Sequence, residues 1–215
     1  MVQVVVHYTK LENRLINIKN LCKSANIEIE IISDFDKEQM PEALVQRVDT
    51  NKISLSEASC FLNHIEIYKR LSESTNTSYS IVIEDDILFK SDISKKLTKY
   101  ISKLPNDFDL FFFGKSKINF KVPFYKKNIF EKDNHKTSWG GGGVTRTLDS
   151  YVISKKCADI IYKEFLNLNF IDDAIDAWIN NLARKFKFRG FWLKKPLTFN
   201  NEKFRSSLEP TRWYE

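Results

Sequence analysis

Residues 54-SLSEASCFLNHIEIYKRL-71 and 79-YSIVIE-84 constrain the chain more than any other part of it. Ser54 and Glu57 stand in capping-box spacing, and Ala58, Phe61, Leu62, Ile65, Tyr68 and Leu71 recur every three or four residues, which makes one face of a long helix apolar. A polar turn, 72-SESTNTS-78, then leads into a β-branched, aromatic run with the composition of a buried strand. A long amphipathic helix feeding a buried strand is the repeating unit of α/β architecture.

The rest of the chain repeats the pattern. Residues 2-VQVVVHY-8 read as a strand, Leu15, Ile18, Leu21, Cys22 and Ala25 fall at helical spacing, and 27-IEIEIIS-33 alternates with period two, so the opening is a βαβ unit. A helix is predicted over 92-DISKKLTKYISKL-104, a strand over 108-FDLFFFG-114, a strand over 148-LDSYVIS-154 and a helix over 155-KKCADIIYKEFL-166. A helix over 171-IDDAIDAWINNLARKF-186 and a strand over 187-KFRGFWL-193 follow. Between 115 and 147 the pattern is lost, and that stretch holds 138-SWGGGGVTRT-147, with four of the six glycines. The tail 200-NNEKFRSSLEPTRWYE-215 is polar and is expected to be partly ordered at best. The alternation predicts a mainly parallel central sheet flanked by helices, with functional groups at the carboxyl ends of its strands.

A length of 215 residues and 42% hydrophobic content suit one domain with a real core. The expected division is a single domain over 1–207 and a polar tail over 208–215. The formal net charge of +6 is spread through short runs such as 125-YKK-127 and 184-RKFKFR-189. That suits an anionic small molecule or simply a solvated surface, and no basic stripe with stacking aromatics points to nucleic acid. Cys22, Cys60 and Cys157 are odd in number, far apart and in apolar helical patterns, so they read as reduced core residues of a reducing compartment. No apolar run approaches the ~18 residues of a membrane span. A soluble, cytoplasmic protein is expected, with peripheral contact at the inner face of a membrane left open; oligomeric state is not legible.

Three consecutive carboxylates, Glu84, Asp85 and Asp86, follow the strand that begins at Tyr79. Crowded like charges repel unless a cation joins them. Oxygen-only ligands favour Mg²⁺ or Mn²⁺, ions that bridge substrate phosphates. In extended chain Glu84 and Asp86 would share one side and Asp85 would face the other. A solvated acidic turn, or an Asp85 that caps or pairs locally, competes with the metal reading.

Taken with the blocks around it, the chain resembles glycosyltransferase family 25, which includes bacterial lipooligosaccharide galactosyltransferases and collagen galactosyltransferases. The resemblance rests on 2-VQVVVHYTKLENRL-15 with Arg14, on 57-EASCFLNH-64 with Glu57, Cys60, Asn63 and His64, and on 82-VIEDDILF-89. It continues through 107-DFDLFFFG-114, 147-TLDSYVISKKCADII-161 and 172-DDAIDAW-178, and closes on Pro196 and Ser206/Ser207. Asn200 or Asn201 stands where the family usually has Gln. The resemblance implies a GT-A type, nucleotide-sugar-binding α/β fold and transfer with inversion from a UDP-sugar, most simply UDP-galactose, to a hydroxyl of a glycan or glycoconjugate. It further implies that Asp86 and Glu84 hold Mn²⁺ or Mg²⁺, with Asp85 near the donor.

Inversion needs a carboxylate to take the acceptor proton. Asp176 and then Asp173 are the candidates, Asp172 being assigned a helix-capping role. Arg14 is assigned to a donor phosphate, in competition with pairing to Glu12 or Asp34. Glu57 and His64 are assigned to the donor site, each with a structural alternative: the capping box for Glu57, a hydrogen-bonded core position for His64. Cys60 and His64 have half a zinc spacing, and the sequence offers no second pair to complete it. The 140-GGGG-143 run is expected to form a lid that admits the acceptor beside Trp139, the alternative being a plain surface loop, with Arg146 and Lys115 adding positive charge near the diphosphate. Two other functions use the same residues. One is a non-catalytic nucleotide-sugar or glycan binder. The other is Mg²⁺-dependent phosphoryl transfer, for which Asp107 and Asp109 lie at the wrong end of their strand.

Overall fold

A computed structural model describes residues 2–6, 8–115, 120 and 122–204. The expected boundary at 207, the tail over 208–215 and the Ser206/Ser207 close lie outside the described residues.

The first βαβ unit forms as the periodicity predicts: β1 (Val2–Val5), α1 (Glu12–Ser24) and β2 (Ile29–Ile32), with β1 and β2 parallel. A short α2 (Glu42–Val45) precedes α3 (Leu55–Glu73). At the start of α3 both halves of the Ser54–Glu57 capping box are made, which satisfies two amide donors that the first turn would leave bare. β3 (Tyr79–Glu84) follows, and then β4 (Ile87–Phe89), α4 (Ile93–Ile101), β5 (Leu110–Phe112) and β6 (Ile129–Lys132). The chain continues through β7 (Ser150–Ser154), α5 (Lys155–Leu166), α6 (Ile175–Phe186), β8 (Gly190–Leu193) and β9 (Thr198–Asn200).

Seven strands make one sheet in the order β2-β1-β3-β7-β5-β8-β6, while β4 and β9 pair as a separate ribbon. Five of the seven run in one direction; β7 and β6 run against them. The sheet is therefore mostly parallel with two reversed strands. Alternation along each strand sends side chains to two cores. Leu110 and Phe112 join the cluster under α3, α5 and α6, whereas Phe111 and Phe113 join the cluster under α1 and α4. Each fully buried Phe or Leu contributes about 1.5–3 kcal/mol. Lys155 ties the end of α3 to the start of α5 by donating to the carbonyls of Leu71, Ser72 and Ser74. β6 and β9 fall where the sequence shows no strand pattern, and both are short.

Candidate active site

β3 delivers Glu84 to the carboxyl end of the sheet, and the chain then turns at Asp85–Asp86 before β4 begins. The turn ends the period-two alternation, so strand geometry no longer sets which way Asp86 faces relative to Glu84. Asp85 and Asp86 instead meet the same guanidinium nitrogen of Arg14, each at 2.8 Å, with all three side chains buried. Glu84 faces α3, its Oε1 4.0 Å from Cys60 Sγ and 3.9 Å from His64 Nε2. Arg14 thus carries an internal charge role alongside any contact with a phosphate; Asp34, one of its expected partners, pairs with Arg70. Burial pushes the Asp85 carboxyl up to about 7 against the pull of Arg14, which is shared with Asp86.

Because β7 runs antiparallel to β3, its first residues arrive where β3 ends. Ser150 lies opposite Ile83, and the Glu84 amide donates to the Asp149 carbonyl at 2.9 Å. This brings a fourth carboxylate, Asp149, into the cluster, a residue that the sequence reading did not single out. Its carboxyl is raised well above the usual range by burial and next by Glu84, and its Oδ1 is buried with no hydrogen-bond partner among the described residues. The backbone of Gly114, just beyond β5, approaches the same carboxylate: a Cβ at 114 would lie 2.3 Å from Asp149 Oδ1. A glycine after the aromatic strand is therefore what leaves room for Asp149. The only sequence signal for Asp149 is a carboxylate set directly before a wholly apolar strand.

α6 supplies the remaining acid. Asp176 sits in its first turn, and its carboxyl is raised by burial and by Glu84, with His64 acting the other way. Glu57, Cys60, Glu84, Asp149 and Asp176 line one cavity, which Asn200 also borders. Its volume of about 170 Å³ is below the roughly 300–1,000 Å³ of a whole ligand cleft, so it suits one portion of a larger ligand. Asp173 does not line it and lies 3.4 Å from the Asn181 amide nitrogen. Asp172 does not cap the helix: α6 begins at Ile175 after Ala174, and Asp172 pairs with Lys52 at 2.7 Å. Glu57 closes the capping box through Oε2, the structural alternative, and also lines the cavity.

His64 is fully buried, its Nδ1 2.7 Å from the Tyr151 hydroxyl, which lies 2.7 Å from that of Tyr68. The tetraglycine segment is not a free lid. Gly143 adopts φ +109° and presses against Asn180, whose Oδ1 accepts from the Thr145 amide at 2.9 Å, so the segment is bound to α6. Trp139 packs edge-on against Trp192 and Phe130 instead of standing out as a stacking platform. Arg146 turns inward over Trp192 and donates to the Leu193 carbonyl at 2.8 Å, while Lys115 is exposed. Asp109 lies at the other end of the sheet, where its Oδ2 accepts from the Arg189 amide.

Three carboxylates, from Glu84, Asp149 and Asp176, thus line one cavity, and Asp85 and Asp86 follow Glu84 directly in the chain, held by Arg14. Buried carboxyls, with an Asp149 oxygen unpartnered among the described residues, make an oxygen-rich set that fits a hard divalent cation.

A mostly parallel α/β sheet with an acidic cavity over its strand ends is the architecture of a GT-A type fold. Residues 3–176 match the model of glycosyltransferase family 25 (LPS biosynthesis protein), and the chain belongs to that family. No curated protein sequence matches the chain. Among solved structures it is similar to the apo-form glycosyltransferase GlyE of Streptococcus pneumoniae TIGR4, at 10% identity and a TM-score of 0.50 over 99% of this chain. The chain spans 56% of GlyE. The galactosyltransferase LgtC, solved with donor and acceptor sugar analogues, matches at 10% identity and TM-score 0.46, over 89% of this chain and 72% of LgtC.

Proposed function

We propose that the protein transfers a sugar, galactose in the simplest case, from a UDP-sugar to a hydroxyl of a glycan or glycoconjugate acceptor, with inversion and with a divalent cation. The observation that carries this reading is the shared cavity in which Asp176, from α6, faces the carboxylates brought by β3 and β7. Inversion is a single displacement: the acceptor oxygen bonds to the anomeric carbon as the bond to the diphosphate breaks. Asp176, held unusually basic for a carboxylate by burial, takes the acceptor proton; Asp173 is the second candidate. Glu84 and Asp86 would hold Mn²⁺ or Mg²⁺, with Asp149 added to the set. When bound, that cation offsets the charge of the departing diphosphate. Arg14 keeps Asp85 and Asp86 in place, Glu57 on the cavity wall would contact the donor, and the fully buried His64 would act on it only through Glu84.

Asp107 and Asp109 lie away from this cavity, which weighs against phosphoryl transfer by a wider acidic set. Among the described residues no helix is long and apolar enough to cross a membrane. The test is a panel of nucleotide sugars with Mn²⁺ or Mg²⁺, followed by release of the nucleoside diphosphate. Metal-dependent turnover of one UDP-sugar is expected. A thermal shift with a UDP-sugar but no turnover would make the protein a binder, and the absence of both turnover and thermal shift would overturn the reading.

A further inference from the structure

The Cys60–His64 pair, half a zinc spacing in the sequence, acquires its missing partner from β3. Cys60 Sγ, His64 Nε2 and a Glu84 carboxylate oxygen lie within 4.8 Å of one another. A tetrahedral ion with bonds of about 2.0–2.3 Å needs ligand atoms about 3.3–3.7 Å apart, so the two pairs with Glu84, at 4.0 and 3.9 Å, need contract by roughly half an ångström and the Cys60–His64 pair by no more than about 1.5 Å.

Two further features favour an ion there. His64 is completely buried, and its Nε2, aimed at Glu84, has no hydrogen-bond partner among the described residues. Leaving a ring nitrogen in that state costs about 1–3 kcal/mol unless something occupies it. The other ring nitrogen is held at 2.7 Å by Tyr151, itself braced at 2.7 Å by Tyr68. When Nδ1–H donates to Tyr151, the Nε2 lone pair points at Cys60 and Glu84. This is how metal-binding histidines are oriented.

We infer that Cys60, His64 and Glu84 form a site for a borderline-soft divalent ion of the zinc type, with its fourth position facing the cavity. The mixed sulfur, nitrogen and oxygen set separates it from the oxygen-only set proposed for Mn²⁺ or Mg²⁺. Binding exchanges the thiol proton, which leaves to solvent, for a bond from the sulfur to the ion. Glu84 belongs to both sets, so an ion held by Cys60 and His64 draws on a carboxylate that the donor metal would use. The site stands independently of the transferase reading, because it needs no sugar nucleotide.

Co²⁺ is the probe, titrated into the reduced full-length chain and followed by absorption. We expect one equivalent to produce a sulfur-to-cobalt charge-transfer band together with visible bands of tetrahedral intensity. The band should vanish in Cys60→Ser and persist in Cys22→Ser and Cys157→Ser. Tyr151→Phe should weaken binding roughly 10–100-fold while keeping the spectrum. No charge-transfer band in the wild-type chain overturns the inference whether or not the variants fold; so does an unchanged band in a folded Cys60→Ser.

Discussion

At the residue scale the site is a problem of crowded carboxylates, met by setting them in different surroundings. Asp85 and Asp86 share Arg14, Asp149 is walled in by Gly114 and the sheet, and Asp176 stands at the start of a helix. The base assignment follows from that division. Asp176→Asn is expected to lower kcat by about 10²–10⁴-fold with little change in donor KM, while Asp173→Asn stays near wild type. Because the Asp176 carboxyl is raised and acts deprotonated, wild-type activity should fall as pH drops through a range above that of an ordinary carboxylate. Steady-state rates of diphosphate release across pH check both statements; a larger loss in Asp173→Asn would transfer the role. The acidic triplet and Asp176 were readable because acidic residues beside apolar runs break a pattern. Asp149 was not, since nothing in 147-TLDSYVIS-154 says which strand end it will meet.

At the element scale, α3 does two jobs: it covers one face of the sheet and presents Glu57, Cys60 and His64 along the side that reaches the cavity. Its capping box matters to both. Ser54→Ala removes the side chain that accepts from the Glu57 amide and loosens the reciprocal bond that the Glu57 carboxylate accepts from the Ser54 amide. We expect a stability loss of about 0.5–2 kcal/mol, read from urea unfolding midpoints at constant slope. No measurable loss would mean that the first turn is held by packing alone. α3 and α5 were legible because long amphipathic periods leave little ambiguity. β6 and β9, three or four residues each, carry no period of their own and exist through pairing with β8 and β4. The start of α6 was misplaced for a related reason. Acidic residues at 172 and 173 look like a first turn, but Asp172 is drawn to Lys52 and the helix begins at Ile175.

At the scale of the whole molecule, buried acid makes stability depend on pH and on metal. The Asp85, Asp149 and Asp176 carboxyls are raised by burial, so at intermediate pH the folded chain holds protons that the unfolded chain has lost. Stability therefore falls as pH rises from about 4, where free carboxyls titrate, towards about 7, where Asp85 does. Without divalent metal, the unfolding midpoint is expected to be lower at about pH 8 than at about pH 5, by an amount on the order of a few kcal/mol. Mn²⁺ should restore more stability at the higher pH, where the carboxylates are ionised. Equal midpoints with and without Mn²⁺ at both pH values would show that these acids do not hold the ion.

The sequence by itself determined the α/β class, most of the helices, the strand that carries Glu84 and the family blocks along the chain. These are local properties, written in periods of two and of about 3.6 residues and in the spacing of polar groups. Only the tertiary structure decided that Asp85 and Asp86 turn together onto Arg14, that Asp149 joins Glu84 and that Glu84 reaches Cys60 and His64. The physical reason lies in strand direction and in the turn after β3. Reversing β7 puts its first residues, not its last, beside the end of β3, and one bend at Asp85–Asp86 cancels the alternation that would have faced Asp86 the same way as Glu84.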